Sequence, residues 1–201
     1  MKRVFLGLFA LLLMVSAAVA AEGLRAEVRM IVEKALAGER DAIARYEAFA
    51  VKAEEEGYPG AASLFRAAAR GEKAHANRFA RILKQHGHNV PEGTGHHPLV
   101  GDTADNLRTA AAAEVAERDG IYREAVETCR LHKADDLAKI FDQTRDSEVE
   151  HANLCSAAAR DLDSMKNAKT YYVCGKCGYT TDVKLPFCPA CQHKVAPAAV
   201  D

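Results

Sequence analysis

Apolar positions recur along most of the chain in alternating steps of four and three, the spacing that lines one face of an α-helix. Val28, Val32, Ala35, Glu39, Ala42, Tyr46 and Phe49 form the first such stripe. The turn Glu56-Gly57-Tyr58 ends it, and Pro59 opens a second: Phe65, Ala68, Glu72, His75, Phe79 and Ile82, with Gly87 as its stop. A stretch rich in Gly, Pro and His, from about His88 to Gly101, precedes the third, which Asp102 or Thr103 can cap. That stripe reads Leu107, Ala110, Glu114, Glu117, Ile121 and Ala125. A turn near Leu131 to Asp135 leads to the fourth: Leu137, Phe141, Thr144, Glu148, His151, Cys155 and Ala158. Two short connections and one longer one predict an all-α, four-helix bundle with one crossover.

The pattern also repeats. Glu39-Arg40-Asp41-Ala42-Ile43 matches Glu117-Arg118-Asp119-Gly120-Ile121, and Glu72-Lys73-Ala74-His75-Ala76-Asn77 matches Glu148-Val149-Glu150-His151-Ala152-Asn153. One helical hairpin therefore occurs twice, which predicts a pseudo-twofold bundle. The 201 residues suffice for one such domain and a small appendage. Charged residues make up 27% and the formal charge is -1, so neither a disordered acidic chain nor a broadly basic nucleic-acid binder fits.

Charged groups stand in these stripes where leucine belongs: Glu39, then Glu72 and His75, Glu114 and Glu117, Glu148 and His151. Spacings of three put both members of each pair on one helical face. Folding each hairpin about its turn brings all seven groups to one layer. Five carboxylates in an apolar core repel, and each loses several kcal/mol of hydration unless compensated. Two divalent cations leave about one negative charge, and two trivalent ions with an oxo dianion leave the same. The set is charge-matched to a redox pair of metals, and oxygen-rich ligation with two imidazoles suits iron or manganese.

Near the C-terminus, Cys174-x-x-Cys177 and Cys188-x-x-Cys191 are two thiolate pairs separated by ten residues. Two residues between cysteines let both sulfurs face a single tetrahedral ion. Spacing alone leaves zinc and iron equally open, and a pair of disulfides is a third outcome. The other cysteines, Cys129 and Cys155, fall about 19 residues out of level along antiparallel helices, tens of ångströms apart, so they should not pair. Cys155 reads as a small core residue. His86, His88, His96 and His97 read as solvated histidines in or near the crossover, with a weak peripheral metal site as the rival.

The first twenty residues follow the order of a secretory signal: Lys2 and Arg3, an apolar stretch from Val4 to Val15, then Ala18-Val19-Ala20. An uncleaved membrane tether is the alternative, although 12 apolar residues are short for a span. The expected organisation is a signal over 1–20, the bundle over 21–167 and the four-cysteine unit over 168–201. A periplasmic or otherwise exported protein, with no stable membrane span after cleavage, is the expectation.

Taken together, these motifs resemble rubrerythrin, a ferritin-like di-iron bundle fused to a rubredoxin-like domain, over roughly residues 24 to 195. The helices of that family supply Glu, Glu-x-x-His, Glu-x-x-Glu and Glu-x-x-His, matched by Glu39, Glu72/His75, Glu114/Glu117 and Glu148/His151. Tyr46 and Tyr122 occupy the offsets of its two tyrosines near the irons. Cys174-Gly175-Lys176-Cys177-Gly178-Tyr179 with Cys188-Pro189-Ala190-Cys191 looks like rubredoxin, which favours iron, although the intervening segment is shorter.

The resemblance implies a peroxidase that reduces hydrogen peroxide to water at two carboxylate- and oxo-bridged irons, in defence against oxidative stress. It implies catalytic roles for Glu117, His75, Tyr46 and Tyr122, Glu117 and His75 being alternative ligands of one iron. It also implies electron delivery from a donor protein through an iron held by Cys174, Cys177, Cys188 and Cys191, across a homodimer. Two rivals remain: a ferroxidase or iron-handling protein, and a non-catalytic redox sensor with structural zinc.

Overall fold

A computed structural model describes residues 23–93, 97–193 and 198–200. The secretory segment and His96 lie outside them. Helix α1 spans Ala26–Glu55 and α2 Pro59–Gln85; α3 is Thr103–Asp119, α4 Ile121–Leu131 and α5 Asp135–Arg160. The first hairpin packs α1 on α2, and the second packs α3 and α4 on α5. A 3-10 turn, Leu162–Lys166, leads to three short strands: β1 (Tyr171–Val173), β2 (Thr180–Thr181) and β3 (Ala198–Val200). They form an antiparallel sheet in the order β2-β1-β3, with Tyr172 opposite Thr181 and Val173 opposite both Thr180 and Ala198. Among the described residues no helix is long and apolar enough to cross a membrane.

The expected boundaries have local causes. Gly57 sits at φ 78°, a left-handed conformation that costs glycine little, and α2 restarts at once on Pro59. Asp102, rather than Thr103, caps α3 by accepting from the Asp105 amide at 2.8 Å. Thr103 instead donates its amide and hydroxyl to Glu56, tying the end of α1 to the start of α3.

One boundary differs. The third stripe predicts a continuous helix, whereas the backbone breaks at Gly120, where φ and ψ are both -97°. A Cβ there would stand 2.6 Å from the Ala116 carbonyl oxygen. Beyond the break the buried set becomes Tyr122, Ala125, Val126 and Cys129, leaving Ile121 at the margin.

The predicted stripes of α1, α2 and α5 are buried throughout. Their apolar members separate into two clusters. One holds Tyr46, Phe49, Phe65, Leu107 and Cys155, the other Leu36, Phe79, Tyr122, Cys129 and Phe141. The two orphan cysteines thus lie in different clusters and are unpaired thiols, as their level difference requires. What divides the core in two is a polar layer.

Candidate metal centre

Six side chains meet in that layer: Glu39 from α1, Glu72 and His75 from α2, Glu114 from α3, and Glu148 and His151 from α5. All are essentially inaccessible to solvent. One ligand atom from each of Glu39, Glu72, His75 and Glu148 falls within a 4.8 Å group, and so does one from each of Glu72, Glu114, Glu148 and His151. Glu72 and Glu148 belong to both groups, the position of bridging carboxylates between two ions. Tyr122 donates its hydroxyl to Glu39 and Tyr46 donates to Glu114, one tyrosine on each half. Both expected tyrosines therefore touch the cluster.

The unsatisfied atoms test whether a metal pair fits. Glu39 Oε2, Glu72 Oε1, Glu114 Oε2, both Glu148 oxygens and His151 Nδ1 are buried without a hydrogen-bond partner. His151 Nδ1 and Glu72 Oε1 approach to 2.9 Å yet are not aligned as donor and acceptor. Buried polar atoms are almost always satisfied, so six orphans around common points mark sites built for cations. Without an ion, burial pushes the carboxyls of Glu39 and Glu114 well above their ordinary range, and the Glu148 charge adds to it. Burial pushes Glu72 the same way, but the charge of His151 close by, with the charge and hydrogen bond of His75, outweighs it and holds that carboxyl low. Burial alone would lower both imidazoles; the surrounding carboxylates overcome it and raise them, chiefly Glu148 and Glu39 at His75 and Glu72 at His151.

The outer face of each imidazole meets the C-terminal unit. His75 Nε2 lies 2.7 Å from the Cys177 carbonyl oxygen, which only accepts, so Nε2 carries a proton and donates. His151 Nε2 lies 2.9 Å from Thr180 Oγ1, whose own proton goes to the Gly178 carbonyl at 3.0 Å. Each Nδ1 is thereby free to present a lone pair to a cation, the usual outer-shell arrangement of metal-bound histidine. Close approach depends on two glycines. A Cβ on Gly71 would stand 2.7 Å from the Gly178 oxygen, and one on Gly178, at φ 82°, would overlap the His75 ring. These contacts join the C-terminal unit to the bundle of the same chain.

Glu117 does not join the six. Its Oε1 faces Arg45 Nη2 at 3.5 Å, and its side chain keeps 20% of its exposure. Burial, with Glu148 and Glu72 nearby, pushes its carboxyl up to about 8 against the pull of Arg45. The sequence repeat pairs Glu39 with Glu117, but within the cluster the counterpart of Glu39 is Glu114, one turn earlier. A fifth carboxylate in the buried layer would add repulsion, and the guanidinium offers it a place at the edge instead. Arg45, Thr180 and the Cys177 carbonyl escape a stripe analysis because none lies on an inner stripe as a titratable group.

The four C-terminal cysteines converge as expected. Their sulfurs lie within 4.8 Å of one another, with Cys174 to Cys191 at 3.7 Å and Cys177 to Cys188 at 3.4 Å. A disulfide is about 2.05 Å. A tetrahedron with metal–sulfur bonds of about 2.3 Å has edges of about 3.8 Å, so these separations suit a shared ion. Hydrogen bonds from Cys177 and Cys188 hold the Cys174 thiol far below its ordinary range, and their contacts with Cys174 push Cys177 well up and Cys188 up to about 11, so without an ion the negative charge concentrates on Cys174.

Fold and site together define a ferritin-like bundle protein with a carboxylate–imidazole site for two metal ions and a rubredoxin-like four-cysteine site. Residues 30–159 match the Rubrerythrin family model, and the chain belongs to the rubrerythrin family. Rubrerythrin from Porphyromonas gingivalis is 35% identical over 170 residues, 81% of this chain and 84% of that protein. Rubrerythrin from Nitratidesulfovibrio vulgaris is 27% identical over 185 residues, 87% of this chain and 93% of that protein. A solved structure of fully reduced, all-ferrous nigerythrin superimposes with a TM-score of 0.75 at 26% identity, covering 90% of this chain and 92% of that one.

Proposed function

We propose that the chain is an exported non-haem di-iron peroxidase that reduces hydrogen peroxide to two waters, consuming two electrons and two protons. The observation that carries this reading is the double role of His75. Its Nδ1 lies 2.9 Å from Glu72 and 3.3 Å from Glu148 inside the cluster, while Nε2 touches the backbone of a cysteine in the second metal site. That is a through-bond route from an electron relay to a redox centre. Glu39, Glu72, His75, Glu114, Glu148 and His151 are the residues that would hold two irons, and the four cysteines would hold a third. Bound in these sites, iron supplies the one-electron steps that peroxide reduction needs.

The remaining work belongs to the polypeptide. Tyr122 and Tyr46 each hold one oxygen of Glu39 and Glu114, leaving the other oxygen of each carboxylate buried without a hydrogen-bond partner. The two apolar clusters flank the layer, whose six side chains are essentially inaccessible to solvent. Glu117, at the solvent edge with its carboxyl raised to about 8, can carry a proton at Oε toward the departing oxygen.

The test is anaerobic. Iron-loaded, fully reduced protein should be oxidised by peroxide in a 1:2 ratio of peroxide to electrons and much faster than by dioxygen, and the iron–thiolate colour should appear as the four-cysteine centre oxidises. Preferential consumption of dioxygen with added ferrous iron as substrate would establish the ferroxidase instead. A colourless four-cysteine site containing zinc would support the sensor.

A further inference from the structure

The charge of the chain is close to balanced, but α2 is not. Six of its seven Asp, Glu, Lys and Arg side chains are basic, and the exception, Glu72, is buried in the metal layer. Gly71, His75 and Arg78, spaced by four and three, are the face that meets the four-cysteine unit. Gly71 approaches the Gly178 oxygen, and His75 bonds the Cys177 carbonyl. Burial lowers the Arg78 guanidinium, and the nearby sulfurs of Cys177, Cys191 and Cys174 draw it back up. About 120° around the helix from that face runs an exposed row comprising Arg70, Lys73, Arg81 and Lys84, extended by half-buried Arg66, which pairs with Glu54; exposed Glu47 of α1 shares a groove with Arg66, Arg70 and Lys73. From Arg66 to Lys84 the row is about 27 Å long at ~1.5 Å per residue. Lys73, Arg81 and Lys84 form no ion pair with any described residue. The four-cysteine unit adds exposed Lys176 and Lys184, and exposed Phe187 immediately before Cys188.

We propose that the basic face of α2, with the adjoining surface of the four-cysteine unit, is the docking site for a compact acidic electron-carrier protein. The inference rests on the electron-entry role proposed above and names the partner's chemistry. Lys73, Arg81 and Lys84, near a buried relay, create a local positive field on a chain of net charge -1. Such a field accelerates encounter with an acidic partner and orients it, and an exposed aromatic gives the encounter a dry contact point. The opposite flank argues against an extended polyanion. There α5 presents exposed Asp146 and half-buried Glu150, whose charges reach Tyr179 on the four-cysteine unit. A membrane surface or nucleic acid laid over the whole face would meet those carboxylates, whereas a small protein on the α2 side would not.

The experiment uses full-length, iron-loaded protein mixed anaerobically with photoreduced flavodoxin, a small acidic carrier, at increasing salt. Bleaching of the iron–thiolate colour reports reduction. The variant K73E/R81E/K84E should be reduced about tenfold or more slowly at low salt, with its salt dependence flattened or inverted. Reduction by an electrically neutral, zwitterionic viologen should be unchanged, and K73R/R81K/K84R should behave as wild type. Equal flavodoxin-driven reduction rates for wild type and K73E/R81E/K84E, or failure of flavodoxin to reduce wild type while the viologen succeeds, overturns the proposal. So does salt-sensitive binding of the wild type, lost in the variant, to equimolar phosphatidylcholine and phosphatidylglycerol vesicles. If flavodoxin reduces the centre in a charge-dependent way but peroxide then oxidises nothing, the docking surface stands and the peroxidase reading fails.

Discussion

Glu148 and Glu39 are both buried carboxylates of one layer, yet their positions imply different consequences of removal. Glu148 belongs to both ligand groups, whereas Glu39 belongs to one. Glu148→Ala should abolish tight binding at both positions of the cluster. Glu39→Ala should leave the group of Glu72, Glu114, Glu148 and His151 able to retain one ion. Metal analysis after iron reconstitution should therefore give two cluster irons per chain for wild type, about one for Glu39→Ala and none for Glu148→Ala, with the four-cysteine iron unaffected. The inward placement of these acids was legible in the sequence, because a charged residue at a helix-periodic core position demands compensation. Bridging was not legible, since periodicity assigns a face and a depth but no distance between side chains on different helices. Glu117 shows the same limit: it satisfies the stripe, and a tertiary contact with Arg45 takes it elsewhere.

Between elements, the seat of the four-cysteine unit on the bundle depends on backbone approaching backbone. Gly178 combines φ 82° with a position against His75, while a Cβ on Gly175 would meet nothing within 4 Å. Gly178→Ala should cost about 1–3 kcal/mol of strain and also push the unit off the bundle, breaking the His75–Cys177 hydrogen bond. Chemical denaturation should show that loss, and electron transfer from the four-cysteine centre to the cluster should slow sharply in stopped-flow absorbance. Gly175→Ala should change neither measurement appreciably. The helices themselves were readable from stripe, proline and cap. The break at Gly120 was not, because a single glycine within a periodic run is compatible with a straight helix as well as a bent one.

At the scale of the molecule, the polar layer makes stability depend on pH in opposite senses with and without metal. In the metal-free chain Glu39, Glu114 and Glu117 have raised carboxyls, Glu117 up to about 8, and both cluster histidines are raised. The folded state then binds more protons than the unfolded one from the ordinary carboxylate range upward, so stability falls as pH rises through about 8. Glu72, held low, contributes in the opposite direction and is lost on acidification. Metal ions displace those protons, so their affinity and the stability they add grow with pH. Thermal melts of chelator-treated protein should show a midpoint declining from mildly acidic conditions to pH ~8, and the gain on reloading iron should widen across the same interval.

The two hairpins, the inward stripes of α1, α2 and α5 and the four-thiolate site follow from the sequence by itself, because each depends on spacings within one element or one turn. Which carboxylates are shared by two ligand groups, which glutamate stands aside, and which backbone carbonyl meets a cluster histidine were decided by the tertiary structure. Those outcomes depend on distances between elements brought together only when the bundle closes, and no periodicity along a single helix encodes them.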